Sequence, residues 1–186
     1  LKALHVVSAW AGQSGITLGQ VAVAAKSNEI TAMPALLKLL DLREKIVTTD
    51  AMGCQKAIAE TIVAGGGDYI LAVKANQPTL HAELPAAFAQ APAPKLRSSR
   101  VATTWNTGHG RQEQRTVQAL PAREYLSAAQ AALWLGVLSV VMVTRQVWDQ
   151  ATGAQRTEIS YFLSSLPPNA RRLGRAIRGH WSIENG

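Results

Sequence analysis

Three things are scarce in this sequence, and each scarcity removes a class of protein. Cysteine occurs once, as Cys54, so no internal disulfide can form and no Cys/His cluster has zinc-ligand spacing. A reducing cytoplasm is the natural compartment for such a chain. Long apolar runs are missing as well. The best candidate, residues 131–143, is broken by Gly136 and Ser139, short of the ~18 continuous apolar residues that a bilayer-crossing helix needs. The opening residues Leu1-Lys2-Ala3-Leu4-His5 do not have the layout of a secretion signal. Carboxylates are the third shortage: 12 Asp and Glu stand against 19 Lys and Arg, a net charge of +7. That surplus suits a polyanion such as nucleic acid, and it also suits a merely solubilising surface.

What is present is a foldable chain. An apolar content of 47% over 186 residues excludes disorder as the main state and allows one sizeable core, or a core domain with an inserted subdomain. With no initiating Met, and with its last residue just after a helical stretch, the sequence reads as a fragment of a longer protein.

The pattern along the chain predicts alternating elements. Two apolar, β-branched runs, 5–11 and 16–25, flank Gly12-Gln13-Ser14-Gly15 and predict a β-hairpin. Thr31 is a candidate N-cap for a leucine-rich helix to Asp41, with Pro34 in its first turn. Lys45-Ile46-Val47-Thr48-Thr49-Asp50 reads as a buried strand ending in a carboxylate, and helical spacing over 54–64 stops at Gly65-Gly66-Gly67. A short strand at 69–74 and a helix from Pro78 to about Gln90 follow. Strands alternating with helices argue for a mixed sheet covered by helices, beginning with the hairpin. After Ala91-Pro92-Ala93-Pro94 the character turns strand-rich: a strand at 99–104, a turn at Asn106-Thr107-Gly108, a strand at 112–120, and a hairpin of 135–148 with 156–163. Asn169 then caps a last helix running past Glu184.

Two carboxylates stand out. Asp50 would sit at the carboxyl end of a buried strand, the rim where ligands bind in open α/β sheets, although an Asp there more commonly caps the turn into the next helix. Projected at about 100° per residue, the last helix puts Leu173, Ile177, His180 and Glu184 on one face, with Arg171, Arg175 and Arg178 opposite. A carboxylate on the apolar face is costly unless a cation or a buried arginine answers it. The arginines would face solvent or phosphate. Paired carboxylates in a basic protein suggest a two-metal phosphoryl-transfer site, with hard ions such as Mg²⁺ held by oxygen ligands.

Several runs together resemble the H-repeat-associated insertion-sequence transposases, which have an Asp-Asp-Glu catalytic core. They are Leu4-His5-Val6-Val7-Ser8-Ala9-Trp10, Lys26-Ser27-Asn28-Glu29-Ile30-Thr31-Ala32, Asp50-Ala51-Met52-Gly53-Cys54-Gln55, and Val73-Lys74-Ala75-Asn76-Gln77. Further on come Gly108-His109-Gly110-Arg111 with Glu113 and Arg115, Tyr161-Phe162-Leu163-Ser164-Ser165-Leu166, and Ile177-Arg178-Gly179-His180-Trp181-Ser182-Ile183-Glu184-Asn185. The resemblance covers nearly the whole chain and is specific in combination.

It implies an α/β, ribonuclease H-like mixed sheet flanked by helices, with a β-rich insertion before the last helix. Residues 1–94 would be the first part of the core, 95–166 the insertion, and 167–186 the last core helix. Asp50 would be the second catalytic aspartate and Glu184 the catalytic glutamate, both metal ligands for Mg²⁺ or Mn²⁺, two ions in the complete enzyme. Such enzymes cut double-stranded DNA at insertion-sequence ends and join the 3′ hydroxyl to target DNA. The partners implied are those DNAs and further copies of the chain, in the bacterial cytoplasm, with no membrane.

Two departures qualify this. Related enzymes carry Tyr-x-x-Arg-x-x-x-Glu, and here Ile177 and His180 hold the Tyr and Arg places. The family's first aspartate, in an Asp-Gly-Lys run, would fall just upstream of Leu1, and Asp41 is a poor substitute. The chain as given is therefore expected to be inactive alone. A ribonuclease H-like nuclease and a catalytically incomplete DNA-binding remnant are the alternatives.

Candidate DNA contacts are Lys74, Asn76 and Gln77 on the presumed rim, His109, Arg111 and Arg115 in the insertion, and Arg178 with His180 on the last helix. Asn-Gln-Pro is also ordinary loop chemistry, and the insertion residues suit a solvated strand face equally well. Trp10, Trp134 and Trp148 are expected in the core, and Trp105, beside a turn, is the better candidate of the four for base stacking. Cys54 is expected to be structural.

Overall fold

A computed structural model describes residues 6–12, 14–23, 29–92, 99–108 and 110–181. Among these, eight strands and six helices form, in the order β1 (Val6–Ala11), β2 (Ile16–Ala22), α1 (Glu29–Lys38), β3 (Ile46–Thr49), α2 (Lys56–Ala64), β4 (Asp68–Val73), α3 (Pro78–Gln90), β5 (Val101–Gly108), β6 (Arg111–Pro121), α4 (Ala122–Tyr125), α5 (Ala128–Ala132), β7 (Ser139–Asp149), β8 (Gln155–Ser164) and α6 (Ala170–Trp181).

Six strands make one mixed sheet of order β3-β4-β8-β7-β6-β5. β3 and β4 run parallel, the remaining pairs antiparallel. Strand β4 explains the layering. Its residues are apolar at every position from Tyr69 to Val73, as in a strand covered on both faces. Tyr69, Leu71 and Val73 point to one side and pack with Ile58 and Ile62 of α2, Leu80 and Leu84 of α3, and Trp134. Ile70 points to the other side, where Ala170, Leu173 and Ile177 of α6 meet Val117, Ala119, Val141, Val143 and Phe162. The result is a helix–sheet–helix sandwich with two cores. Serines stitch β4 to β8: Ser164 Oγ donates to the Tyr69 carbonyl at 2.7 Å and Ser165 Oγ accepts from Tyr69 N at 2.9 Å.

Several local expectations are corrected. The hairpin forms, yet as a separate two-stranded sheet. It packs on α1, and alternate residues of β1 stay exposed. Trp10 falls on the open side and is not core. α1 already spans Glu29, so Thr31 lies inside the helix and Pro34 in its second turn. Burial of Ala32, Leu36 and Leu37 holds that helix together despite the proline. The turn between β5 and β6 falls after Gly108, because Gly108 pairs with Arg111, so Asn106-Thr107-Gly108 is strand. Residues 133–138 are a loop leading out of α5, and β7 begins at Ser139. Trp134 is core as expected, although not in a strand.

Candidate active site

Asp50 directly follows β3, and the chain turns sharply there into α2. Its Oδ1 accepts from the backbone N–H of Gly53 at 3.2 Å, closing a local Asx-type turn. The side chain is exposed, and its second oxygen carries no hydrogen bond among the described residues. Gly53 is required for the turn because it lies against the strand it leaves. A Cβ there would stand 2.6 Å from Thr49 Cβ.

The last helix arrives from the opposite end of the sequence. Asn169 caps it as predicted, its Oδ1 accepting from Arg172 N at 3.1 Å. Leu173 and Ile177 are buried against the sheet, whereas Arg171, Arg175 and Arg178 are exposed. The approach is close because residue 174 is glycine: a Cβ there would sit 3.0 Å from Val117 Cγ2. One turn beyond Ile177, His180 Nδ1 lies 3.1 Å from Thr48 Oγ1. That contact joins residues 132 apart in sequence and sets the end of α6 beside the strand end that carries Asp50. Thr48 was not singled out by its sequence, and an isolated threonine in a strand gives no signal of such a partner. Glu184, four residues beyond His180 in the sequence, lies outside the described residues, as does His109.

The other candidates are distributed as follows. Lys74 is exposed at the end of β4, the parallel neighbour of β3. Asn76 and Gln77 follow it, and both side-chain amides are directed at the loop after Asp50. Asn76 Nδ2 donates to the Ala51 carbonyl and Gln77 Nε2 to that of Cys54 at 2.8 Å. Arg178 is exposed, yet it meets β5. With the Asn106 amide turned so that its nitrogen donates to the Trp105 carbonyl, its oxygen accepts from Arg178 Nη2 at 2.9 Å.

In the antiparallel half of the sheet, Glu113 is the hub of an ion-pair ladder. It pairs with Arg115 at 2.6 Å and with Arg145 at 2.6 Å, and Arg145 reaches on to Glu158 at 3.1 Å. Arg115 is largely covered. Burial lowers its pKa below the ordinary guanidinium value; Glu113 opposes this, and Arg145 and Arg178 add to it. Arg111 is exposed and 3.7 Å from Asp149. On the other side of these strands Trp105 stacks on Trp148, with ring centroids 5.7 Å apart and 16° between planes, and Trp105 remains exposed. Asp41 is bound to Arg43 at 2.8 Å, and the hydrogen bonds from Arg43 hold its carboxyl down at about 2. Cys54 is fully buried, and burial pushes its thiol up to about 12, so it is no nucleophile.

No group of three or more His, Cys, Asp or Glu side chains able to hold a metal occurs among the described residues. The donor chemistry at Asp50 nevertheless suits a hard cation, since it offers an exposed carboxylate with one oxygen that accepts no hydrogen bond among the described residues.

A mixed sheet with helices on both faces and a carboxylate at the end of a parallel strand is compatible with a ribonuclease H-like α/β domain. The whole chain, residues 1–186, matches the family described as "Transposase DDE domain". It is 39% identical over 184 residues to the transposase-named YncI of Escherichia coli O157:H7, an alignment covering 98% of this chain and 47% of that protein. It is 36% identical over 185 residues to YhhI of Escherichia coli K12, named as H repeat-associated, covering 98% of this chain and 48% of YhhI. A protein encoded in the dhlA 3′ region of Xanthobacter autotrophicus is 39% identical over 142 residues, 76% of this chain and 47% of that protein. The chain belongs to the DDE-domain transposase family, and it spans about half the length of these curated relatives.

Proposed function

We propose that this chain forms most of the catalytic domain of an insertion-sequence transposase acting on double-stranded DNA. The observation that carries the reading is the Thr48–His180 contact. It brings the end of α6, three residues before Glu184 in the sequence, against the strand end that presents Asp50, as a shared carboxylate site requires. In this reading Asp50 and Glu184 hold divalent metal, Mg²⁺ or Mn²⁺. The ions supply charge neutralisation at the attacking and leaving oxygens of an in-line phosphoryl displacement.

The chain's own residues prepare that site. The Gly53 amide fixes one oxygen of Asp50 and leaves the other outward. The packing of Leu173 and Ile177 anchors α6, so that its last turn has a fixed position over β3. Lys74 stands exposed on the same rim, where an ammonium would meet a DNA phosphate. Residues 95–166 act as the β-rich insertion between the two catalytic carboxylates, contributing β5–β8 to the sheet. Copies of the protein pair on DNA ends in the bacterial cytoplasm.

The test is Mg²⁺- or Mn²⁺-dependent cleavage and joining of element-end DNA by the full-length protein, beside its Asp50→Ala and Glu184→Ala variants. Both reactions should occur in the parent and disappear in either variant. Hydrolysis without joining would instead identify a nuclease. Full activity in both variants would remove the site.

A further inference from the structure

The loop after Asp50 is held from a neighbouring strand end by two side chains. Asn76 and Gln77 leave the end of β4 and each reaches across to a main-chain carbonyl of the 51–54 segment, Ala51 and Cys54 respectively. Those carbonyls bracket Gly53, whose N–H is the donor to Asp50 Oδ1. A third amide, Gln55 Nε2, donates to the Met52 carbonyl at 3.3 Å. Three carbonyls of one loop, those of Ala51, Met52 and Cys54, are thus held by glutamine or asparagine nitrogens.

The helix starts bear this out. Gln55 and Gln77 occupy the N-cap positions of α2 and α3, and neither makes a side-chain cap hydrogen bond. N-caps are usually Ser, Thr, Asp or Asn, whose short side chains return to their own helix. A glutamine at each of these positions has the length to reach past the cap, and both spend it on the 52–54 carbonyls. Asn76 and Gln77 each commit an amide N–H to a carbonyl of the protein itself.

We infer that Asn76 and Gln77 are positioning residues: they hold the 51–54 loop, and through the Gly53 amide they fix the orientation of the Asp50 carboxylate. The inference rests on the reading of Asp50 as a catalytic carboxylate. It assigns to two neighbouring residues a role in orienting that carboxylate in place of direct DNA contact. Loss of either amide frees the loop without removing anything that binds DNA.

Amide hydrogen exchange of the full-length protein, free of metal and DNA, reads the loop directly. The reporters are the N–H groups of Gly53, Cys54 and Gln55, which donate to Asp50 Oδ1, the Ala51 carbonyl and the Gly53 carbonyl. Asn76→Ala and Gln77→Ala should each speed their exchange by about three- to tenfold, the worth of one hydrogen bond, with α6 amides unchanged. Asn76→Asp keeps the shape without the donor and should behave like Asn76→Ala. Turnover of element-end DNA should fall in kcat with KM for DNA unchanged. Unchanged loop exchange in all three variants overturns the inference, and so does a rise in KM with kcat preserved, which is the signature of a DNA contact. The exchange result is independent of catalysis. If Asp50→Ala retained activity, the catalytic reading would fall while the exchange data still decided whether the clamp exists.

Discussion

Replacing Gly53 with alanine should unfold the turn that presents Asp50, and the structure gives the size of the effect. The new Cβ would lie 2.6 Å from Thr49 Cβ, 2.8 Å from its Oγ1 and 3.1 Å from its Cγ2, where apolar atoms rest at roughly 3.5–4.0 Å. Thr49 cannot step aside, being a buried residue of β3 paired with Leu71 of β4. The loop must shift instead, and it is itself tied at the Ala51 and Cys54 carbonyls. Overpacking of this kind costs about 1–3 kcal/mol, a fall in Tm of roughly 2–12 °C for a domain of this length. Urea unfolding of Gly53→Ala should show a lower midpoint with an unchanged m-value. A control separates contact from general disruption. In a Thr49→Ala background the nearest atom, Cβ, stays in place and Gly53→Ala should cost as much as in the parent, whereas in a Thr49→Gly background all three contacts are gone and Gly53→Ala should cost little. A Gly53→Ala protein within about 0.5 kcal/mol of the parent, or little cost of Gly53→Ala in the Thr49→Ala background, would refute the reasoning.

Other expectations are simpler. Leu173 is fully buried between α6 and the sheet, so Leu173→Ala should cost about 2–5 kcal/mol in a denaturant melt. Glu113→Ala strips Arg115 and Arg145 of their shared carboxylate and should cost about 1–3 kcal/mol; Arg145→Ala added to it should then cost less than it does alone. Burial raises the Cys54 thiol from 9.0 to about 12, so the folded state disfavours the thiolate. Its stabilising contribution is complete below about pH 9 and is lost as pH rises from 9 toward 12. Urea midpoints should fall over that interval more steeply in the parent than in Cys54→Ala, and the native thiol should resist Ellman's reagent at pH 8.

Much of this molecule is written in local pattern. The unbroken apolar run of β4 announces a strand covered on both faces, and the structure supplies α2 and α3 on one side and α6 on the other. The spacing of Leu173 and Ile177, with Asn169 before them, defines the last helix and its buried face, and cap and burial agree with it. Asp50 at a strand end could be read from the sequence too, because period and terminating carboxylate lie within a few residues of each other. Local errors have local causes. The β5–β6 turn follows Gly108 because eight cross-strand pairs, from Val101↔Gln118 to Gly108↔Arg111, outweigh the turn propensity of Asn-Thr-Gly. Trp10 is open because α1 covers one face of the hairpin, and its register puts that side chain on the far face.

What composition and period alone determined was therefore most of the elements, though not α4 and α5, and a mixed sheet covered by helices; the ribonuclease H-like class came from the family resemblance. The tertiary structure alone decided which distant residues meet. It paired β8 with β4 across about ninety intervening residues, set the hairpin apart as its own sheet, brought His180 to Thr48, and turned Asn76 and Gln77 into the Asp50 loop. Hydrophobic period fixes which side of an element is buried. It says nothing of what lies opposite, because that depends on how two cores close on one sheet and on how closely a helix can approach it, here through Gly174 against Val117.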